Sequence, residues 1–263
     1  MLRSMYAGIS GMKSSQTKLD IIGNNVANVN TVGYKKGRVT FSDIMSQQVN
    51  PAQGPANGQG GINPSQVGLG SQIASIDNIH TTGFRQTTNR SLDLFIEGDG
   101  MFAVSNGEET FYTRAGNFYL DAQGDIVNPS GYYLQDVNNN KINIPADAQS
   151  YSIDEFGEVT YLDADGEQQS AGTIALAQFS NPGGLEKAGS NLYRTTDNAG
   201  FGGLVGAGTG GQGSIVSGAL EMSNVDLAEE FTEMITGQRS FQANTRIITT
   251  SDEILQELVN LKR

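Results

Sequence analysis

The sequence contains no cysteine and no tryptophan, and its only histidine is His80. The absence of cysteine excludes disulfides, thiolate nucleophiles and cysteine-based zinc sites. A single histidine leaves little capacity for transition-metal binding or general-base catalysis. We assign His80 no role, because a histidine without a second ligand is usually a surface or loop residue. The sequence therefore predicts no catalytic residue, no cofactor site and no metal site.

Long apolar runs are also missing. No window approaches the roughly 18 apolar residues of a membrane span, and the N-terminus lacks the apolar core of a cleavable signal peptide. The net charge of -12 argues against nucleic acid as a partner, since binding to phosphates depends on lysine and arginine. The charge is unevenly distributed, because residues 1–46 carry six Lys and Arg against two Asp and Glu, whereas residues 220–263 carry four against eight. The two ends of the chain are therefore oppositely charged.

Glycine is abundant, with 34 of 263 residues, and 37% of the residues are hydrophobic. This composition predicts a folded core together with many turns and polar connections. Residues 46–74 form a predicted extended connector, in which Gly, Pro, Gln and Asn are concentrated between positions 46 and 70. Residues 196–213 contain eight glycines and are predicted to be a flexible linker.

The N-terminal segment has an apolar residue every three or four positions, which is the pattern of a coiled-coil helix. Glycines at positions 8, 11 and 23 lie within this segment, and each costs about 1 kcal/mol relative to alanine, so the helix needs a partner. The helix is predicted to end near Val29. The apolar line consists of Leu2, Met5, Ile9, Met12, Leu19 and Val26.

The C-terminal segment shows a clearer seven-residue repeat. Ser223 and Asp226 fit a capping box at its start, and Lys262 and Arg263 would complement the negative end of the helix dipole. Residues 1–45 and 214–263 are predicted to pair as one helical assembly domain, although an ordinary hairpin of two core helices remains open. The repeat consists of Leu227, Met234, Phe241, Ile248 and Leu255, with Phe231 and Val259 on the second line.

Between these segments the apolar period changes to two, which is typical of short strands. Asp121 and Gly124, like Asp154 and Gly157, have the Asp-x-x-Gly spacing of tight hairpin turns. We therefore predict a central antiparallel β domain over residues 75–195. The predicted fold class is α+β, with a mainly antiparallel β domain between N- and C-terminal helices that form a coiled-coil arm.

Several segments resemble the flagellar hook and basal-body rod protein family, over nearly the whole chain. The central motifs are Thr88-Asn-Arg-Ser-Leu-Asp-Leu-Phe-Ile-Glu-Gly-Asp-Gly100 and Tyr112-Thr-Arg-Ala-Gly-Asn-Phe118, and Gln238-Arg-Ser-Phe-Gln-Ala-Asn244 resembles the closing helix of the family. The N-terminal signature spans positions 24 to 35 and includes Asn24, Asn25, Asn28, Thr31, Gly33, Tyr34 and Lys35.

The resemblance implies a structural subunit that performs no catalysis. Such a subunit is exported through the flagellar type III apparatus and stacks helically into a tube, so its partners would be its own copies, other rod proteins, the hook–filament junction and the hook cap. It would lie in the hook or basal body, outside the cell or in the periplasm and cell-wall region. We interpret the chain as a short hook protein, because Gly60–Gly70 and Ile254–Leu261 look more like hook proteins; the chain length favours the alternative, a distal rod subunit.

Two other classes explain less of the sequence. A secreted β-rich carbohydrate-active enzyme could use two carboxylates such as Asp93 and Glu97, but it leaves both terminal repeats unexplained and lacks tryptophan for stacking on sugars. A surface adhesion module explains the β domain but not the helices. The small basic run of Lys35, Lys36 and Arg38 is interpreted either as a solvated face or as a contact for acidic surfaces, such as those that carry Glu229, Glu230 and Glu233.

Overall fold

A computed structural model describes residues 2–54, 60–61 and 63–261. The helices are α1 (Leu2–Ala27) and α2 (Leu227–Leu261), and a short 3-10 helix spans Pro182–Gly184. The strands are β1 (Gly37–Asp43), β2 (Ser46–Asn50), β3 (Ser65–Gly68), β4 (Ser71–Asn78), β5 (Arg85–Thr87), β6 (Leu94–Glu97), β7 (Met101–Ser105), β8 (Thr110–Thr113), β9 (Tyr119–Leu120), β10 (Ile126–Val127), β11 (Tyr133–Leu134), β12 (Ser150–Ile153), β13 (Glu158–Leu162), β14 (Gln168–Thr173), β15 (Ala175–Phe179), β16 (Glu186–Gly189), β17 (Leu192–Arg194), β18 (Phe201–Gly206), β19 (Ser214–Ser217) and β20 (Ala219–Glu221).

The chain divides into two compact units. The helical unit comprises residues 1–27, 37–78 and 226–263, and the β unit comprises residues 28–36 and 79–225. Mixed helices and antiparallel strands confirm the predicted α+β class.

The helical unit combines α1 and α2 with two antiparallel strand pairs. Strands β1 and β4 pair from Gly37 opposite Asn78 to Asp43 opposite Ser71, with a bulge after Thr40. Strands β2 and β3 pair as a second ladder, and all of their residues are exposed. Three strands therefore lie within or overlap residues 46–74, where the sequence predicted an extended connector, because backbone pairing satisfies the N–H and C=O groups of this polar stretch.

Helix α2 is capped by Asp226 rather than by a box that starts at Ser223. Oδ1 of Asp226 accepts hydrogen bonds from the backbone N–H of Ala228 at 2.8 Å and of Glu229 at 3.4 Å. Ser223 Oγ instead accepts from the N–H of Val225 at 3.2 Å, one turn too early for the helix. The capping-box prediction was therefore wrong in its first residue, and Lys262 and Arg263 lie outside the described residues. Helix α1 ends at Ala27, two positions before the expected end.

The β unit is built around β7, which pairs with β8, β11 and β15 in one antiparallel sheet. Alternate residues of β7 enter two different apolar clusters: Phe102 and Val104 belong to the larger one, and Met101 and Ala103 to the smaller. Both faces of this strand are consequently buried. The period-two pattern correctly indicated strands, and the second cluster explains why the intervening positions are apolar as well.

Tight turns of the Asp-x-x-Gly type connect the hairpins, as predicted. The N–H of Gly124 donates to the carbonyl of Asp121, and that of Gly157 donates to the carbonyl of Asp154, each at 2.9 Å. Both glycines have φ near +80°, a backbone conformation that side chains other than hydrogen disfavour.

The β unit begins and ends at different positions from the predicted 75–195. Strand β4 pairs with β1 in the helical unit, so the β unit resumes at residue 79. Strand β18 lies within the predicted linker 196–213 and pairs with β15. Strands β19 and β20 pair with β6 and β5, which places residues 214–225 in the β unit rather than with the helices. The reason is burial: Ile215 and Ala219 are each 2% exposed.

Candidate assembly interface

Helices α1 and α2 pack against each other as an antiparallel pair within the helical unit. Met12 and Thr245 are in contact, with Thr245 Oγ1 3.3 Å from Met12 Sδ. A Cβ atom added at Gly8 would lie 3.2 Å from Cγ1 of Ile248, and one added at Gly237 would lie 3.1 Å from Cδ2 of Leu19. Residues near the start of α1 thus contact residues near the end of α2, and glycines lie where the two helices come closest.

The buried line of α1 is shifted by one residue from the predicted apolar line. Gly8, Ser15 and Ile22 are buried at seven-residue intervals, and Asn25 is only 2% exposed. The predicted residues flank this line: Met5, Met12, Leu19 and Val26 are half-buried and Ile9 is exposed, while the side chain of Leu2 lies outside the described part of the chain. Small residues form the contact because they allow the two helices to approach closely.

Helix α2 presents a similar seam. Glu230, Gly237 and Ser251 are buried, whereas Asn244 is half-buried on the same line. Of the predicted residues, Met234, Ile248 and Leu255 are half-buried beside this line, and Leu227, Phe231, Phe241 and Val259 are exposed. The seven-residue repeat of the sequence therefore borders the intramolecular contact and continues onto the open side of the helix.

Polar side chains fix the helix pair in place. The Asn25 amide donates to the carbonyl of Gly37 at 2.9 Å and to Oε2 of Glu230 at 3.2 Å, and its carbonyl accepts from the N–H of Gly37 at 2.9 Å. Lys18 and Glu233 form an ion pair nearer the surface. The Asn25 side chain links α1 to α2 and to the start of β1, which gives this residue of the family signature a structural role.

The helical unit leaves much apolar surface exposed. On α2, Ile235 is 59% and Val259 65% exposed, and on the strands Met45 is 70% and Ile76 57% exposed. Contiguous apolar patches on a protein surface mark sites of interaction, so this surface is a candidate for contact with another molecule. Among the side chains of this unit that the structure describes, the other large apolar residues that are exposed are Tyr6, Ile9, Phe41, Ile44, Val49, Val67, Ile73, Leu227, Phe231, Phe241, Ile247, Ile254 and Leu261.

The end of the N-terminal signature lies in the β unit around a buried ion cluster. Lys35 Nζ lies 2.6 Å from Oε1 of Glu221 and donates to the carbonyl of Thr81 at 2.7 Å. Arg114 Nη1 lies 3.3 Å from the other carboxylate oxygen, and Lys35 and Glu221 are each only 1% exposed. Burial lowers the pKa of Lys35, and the charge of Glu221 opposes that shift. Lys35 is therefore buried, contrary to the interpretation of residues 35 to 38 as one solvated face.

Other residues of the signature shape the same region. Gly33 has φ of +69° and donates its N–H to the carbonyl of Glu221 at 2.8 Å, and a Cβ atom at this position would lie 2.6 Å from the backbone nitrogen of Ala115. Thr31 Oγ1 donates to Oδ1 of Asn28 at 3.1 Å, and the ring of Tyr34 lies 5.2 Å from Lys187 Nζ. Only glycine fits at position 33. Asn24 is exposed.

His80 is more buried than the sequence suggested. Its ring contacts the ring of Tyr193 edge-on at 5.6 Å between centroids. Among the described residues, neither ring nitrogen has a hydrogen-bond partner. Burial lowers the pKa of His80 to about 4, and the positive charges of Lys35, Arg114 and Lys187 act in the same direction. The ring is consequently neutral at physiological pH.

Among the described residues, no set of three or more His, Asp or Glu side chains is arranged to hold a metal ion. Neither α1 nor α2, over the residues described, is apolar enough along its length to cross a bilayer.

Comparison with known protein families gives three matches along the chain. Residues 5–35 match the family described as flagella basal body rod protein, and residues 216–261 match the flagellar basal body rod FlgEFG protein C-terminal family. Residues 95–161 match the flagellar hook protein FlgE/F/G D1 domain. The chain is also 58% identical to the flagellar basal-body rod protein FlgG of Bacillus subtilis over 266 aligned residues, which cover 100% of both chains. The chain belongs to the flagellar hook and basal-body rod protein family.

Members of both branches of the family are similar to this chain. It is 38% identical to the FlgG rod protein of Borreliella burgdorferi over 271 residues and 30% identical to the FlgE hook protein of the same organism over 441 aligned positions, in each case with 100% of both chains covered. These relatives are structural subunits of the flagellar axis, as the resemblance of the sequence implied. The hook alignment requires long insertions relative to the 263 residues of this chain, whereas the rod alignments do not.

Sequence reasoning missed several residues that organise these regions. The pairing of Glu221 with Lys35 and Arg114 was not predicted, because an isolated charged residue in a sequence usually lies at the surface. A signal did exist for Gly8 and Gly237. Gly8 lies one residue before Ile9 of the apolar line, and Gly237 lies between the repeat members Met234 and Phe241. The assembly role of the predicted seam residues stays a prediction.

Proposed function

We propose that this chain is a rod subunit of the flagellar basal body that polymerises through the exposed apolar surface of its helical unit. The rod alternative is preferred to the hook interpretation because of the 58% identity, at nearly equal length, to a basal-body rod protein. On this proposal the subunit lies in the cell-wall region after type III export. Its partners are copies of itself, other axial proteins and the export apparatus.

The exposed apolar residues of the helical unit are the observation that carries the polymerisation proposal. Leu227 and Phe231 begin the repeat of α2, and both are exposed although the helix already has a partner in α1. A surface of this kind is removed from water only when a second molecule covers it. A contact between different surfaces of identical copies, repeated along a screw axis, generates a filament.

Phe231→Ser tests whether the helical unit carries assembly. We expect the purified variant to remain monomeric at concentrations at which the unaltered chain sediments as polymer. The control is Phe156→Ser, which makes the same change at a residue 61% exposed in the β unit and should leave polymerisation unchanged. An equal loss of polymerisation in both variants would contradict the assignment of assembly to the helical unit.

A deletion strain decides between rod and hook. Cells without this gene should yield basal bodies that lack the distal rod, and complementation should restore it. Complete rods without hooks would instead support the hook interpretation.

A further inference from the structure

A groove lies in the helical unit between α1 and the segments at position 44 and positions 69–73. Its volume is about 590 Å³, within the range of pockets that bind ligands. Tyr6 and Ile9 of α1 form one wall, and Ile44, Leu69 and Ile73 form the other. We call this feature the α1 groove. Most of its surface is apolar. The Tyr6 side chain that lines it is 69% exposed.

Two positive charges line the α1 groove. Arg3 and Lys13 contribute to its lining and are exposed. Neither of them forms an ion pair with any residue in the described ranges, in contrast to Lys18, which pairs with Glu233. The groove therefore fits an apolar ligand that carries negative charge at its edge.

The carboxyl half of α2 has the complementary pattern. Ile247, Ile254 and Leu261 recur every seven residues, and we call them the carboxyl stripe; they are 45%, 43% and 82% exposed. Glu257 lies three residues after Ile254 and four before Leu261, so it lies beside the stripe. Residues 247–261 also contain Asp252 and Glu253 but no lysine or arginine.

The carboxyl stripe does not fill the groove of its own chain. Ile248 of α2 contacts Gly8 in the intramolecular seam, while Ile254 and the groove residue Tyr6 both stay exposed. The amino half of α2 fits the groove less well, because its carboxylates already have partners within the chain. Glu230 accepts from the Asn25 amide, and Glu233 pairs with Lys18. A second copy is thus required, and its carboxyl half is the matching part.

Building on the proposed polymerisation, we propose that the α1 groove of one copy receives the carboxyl stripe of α2 from a second copy. Ile254 and Leu261 enter the apolar floor, and Glu253 and Glu257 face Lys13 and Arg3. Donor and acceptor surfaces differ, so the contact is heterologous and can repeat without closing. Each copy has one of each surface.

Charge exchange tests this pairing. Lys13→Glu and Glu257→Lys should each raise the critical concentration for polymerisation roughly tenfold, and the double variant Lys13→Glu/Glu257→Lys should return close to the unaltered value. The control Lys13→Glu/Asp20→Lys restores the same net charge at a different exposed position of α1 and should show no rescue. No effect of the single variants, additive losses in the double variant or equal rescue by the control would overturn the pairing.

A second measurement separates this inference from the proposed function. A fluorescently labelled peptide of residues 241–261 is titrated with the full chain, and its affinity should fall roughly tenfold for Lys13→Glu and recover when the peptide carries Glu257→Lys. Peptide binding with this recovery in a chain that never polymerises would refute the proposed function alone. Polymers that form from a chain with no affinity for the peptide would refute the groove pairing alone.

Discussion

Lys35 Nζ lies 2.6 Å from Oε1 of Glu221, 186 residues away along the chain, and both side chains are almost completely buried. The same carboxylate oxygen accepts the N–H of Gly83 at 2.8 Å, and the other one faces Arg114. One carboxylate thus holds together the N-terminal signature, the start of the β unit and the strand that precedes α2. Its removal leaves the buried Lys35 and Arg114 without this shared counter-charge.

Glu221→Gln should therefore destabilise the β unit by about 3–5 kcal/mol, the cost of leaving a buried charge unpaired. The free energy of unfolding in urea measures this loss. The matched control is Glu186→Gln, because Glu186 pairs with Arg194 at 3.2 Å in an exposed position and should contribute less than about 1 kcal/mol. Similar losses in the two variants would show that burial does not distinguish the two ion pairs.

The buried His80 makes the stability of the β unit depend on pH. Its pKa is about 4 in the folded chain and has its ordinary value of 6.5 in the unfolded chain, so the unfolded state binds the proton first as the pH falls. The stability contribution is complete above pH 6.5 and decreases toward pH 4, by at most about 3 kcal/mol. His80→Phe keeps the contact with Tyr193 and should flatten this part of the profile in urea unfolding at several pH values. The same change of unfolding free energy with pH in the unaltered chain and in His80→Phe would contradict the lowered pKa of His80.

The glycines of α1 differ in what surrounds them, so the same substitution should have opposite effects. Gly8→Leu gains helix propensity but enters the space near Ile248, and we expect a net loss of about 1–3 kcal/mol. Gly23 has no neighbouring atom within 4 Å of an added Cβ, so Gly23→Leu should stabilise the helix by up to about 1 kcal/mol. Thermal unfolding followed by the helical circular dichroism signal compares them. Two losses of equal size would contradict the packing of Gly8 against α2.

The helical unit should be only partly helical in the free monomer. The seam between α1 and α2 is formed largely by small and polar residues, so it buries little apolar surface, and isolated helices gain most of their stability from packing. The circular dichroism of a dilute sample should fall short of the signal of two complete helices and rise on polymerisation. Full helicity at the lowest measurable concentration would be inconsistent with this expectation.

The sequence predicted most of the secondary structure but only part of the contact between α1 and α2. Local signals sufficed for the helices, for the turns at Gly124 and Gly157 and for Met234, Ile248 and Leu255 beside the seam. The predicted apolar line of α1 lies one residue away from the buried line. The reason is that the pattern of large apolar side chains does not reveal a contact made by Gly8 and Ser15. The burial of Lys35 was missed because its partners lie far along the chain, and such pairings have no local signature. The boundaries of the β unit depend on the pairing of β19 and β20 with earlier strands, which is equally nonlocal.

The apolar side chains of the helical unit also limit how the free chain can be handled. Met45, Ile235 and Val259 are exposed to water in the free chain. The same apolar surface can bind the end of a growing filament or another unassembled copy. If that surface drives assembly, the free subunit stays unassembled only below a critical concentration, which is set by the strength of the contacts in the polymer. Tighter filaments then require a smaller pool of unassembled chains.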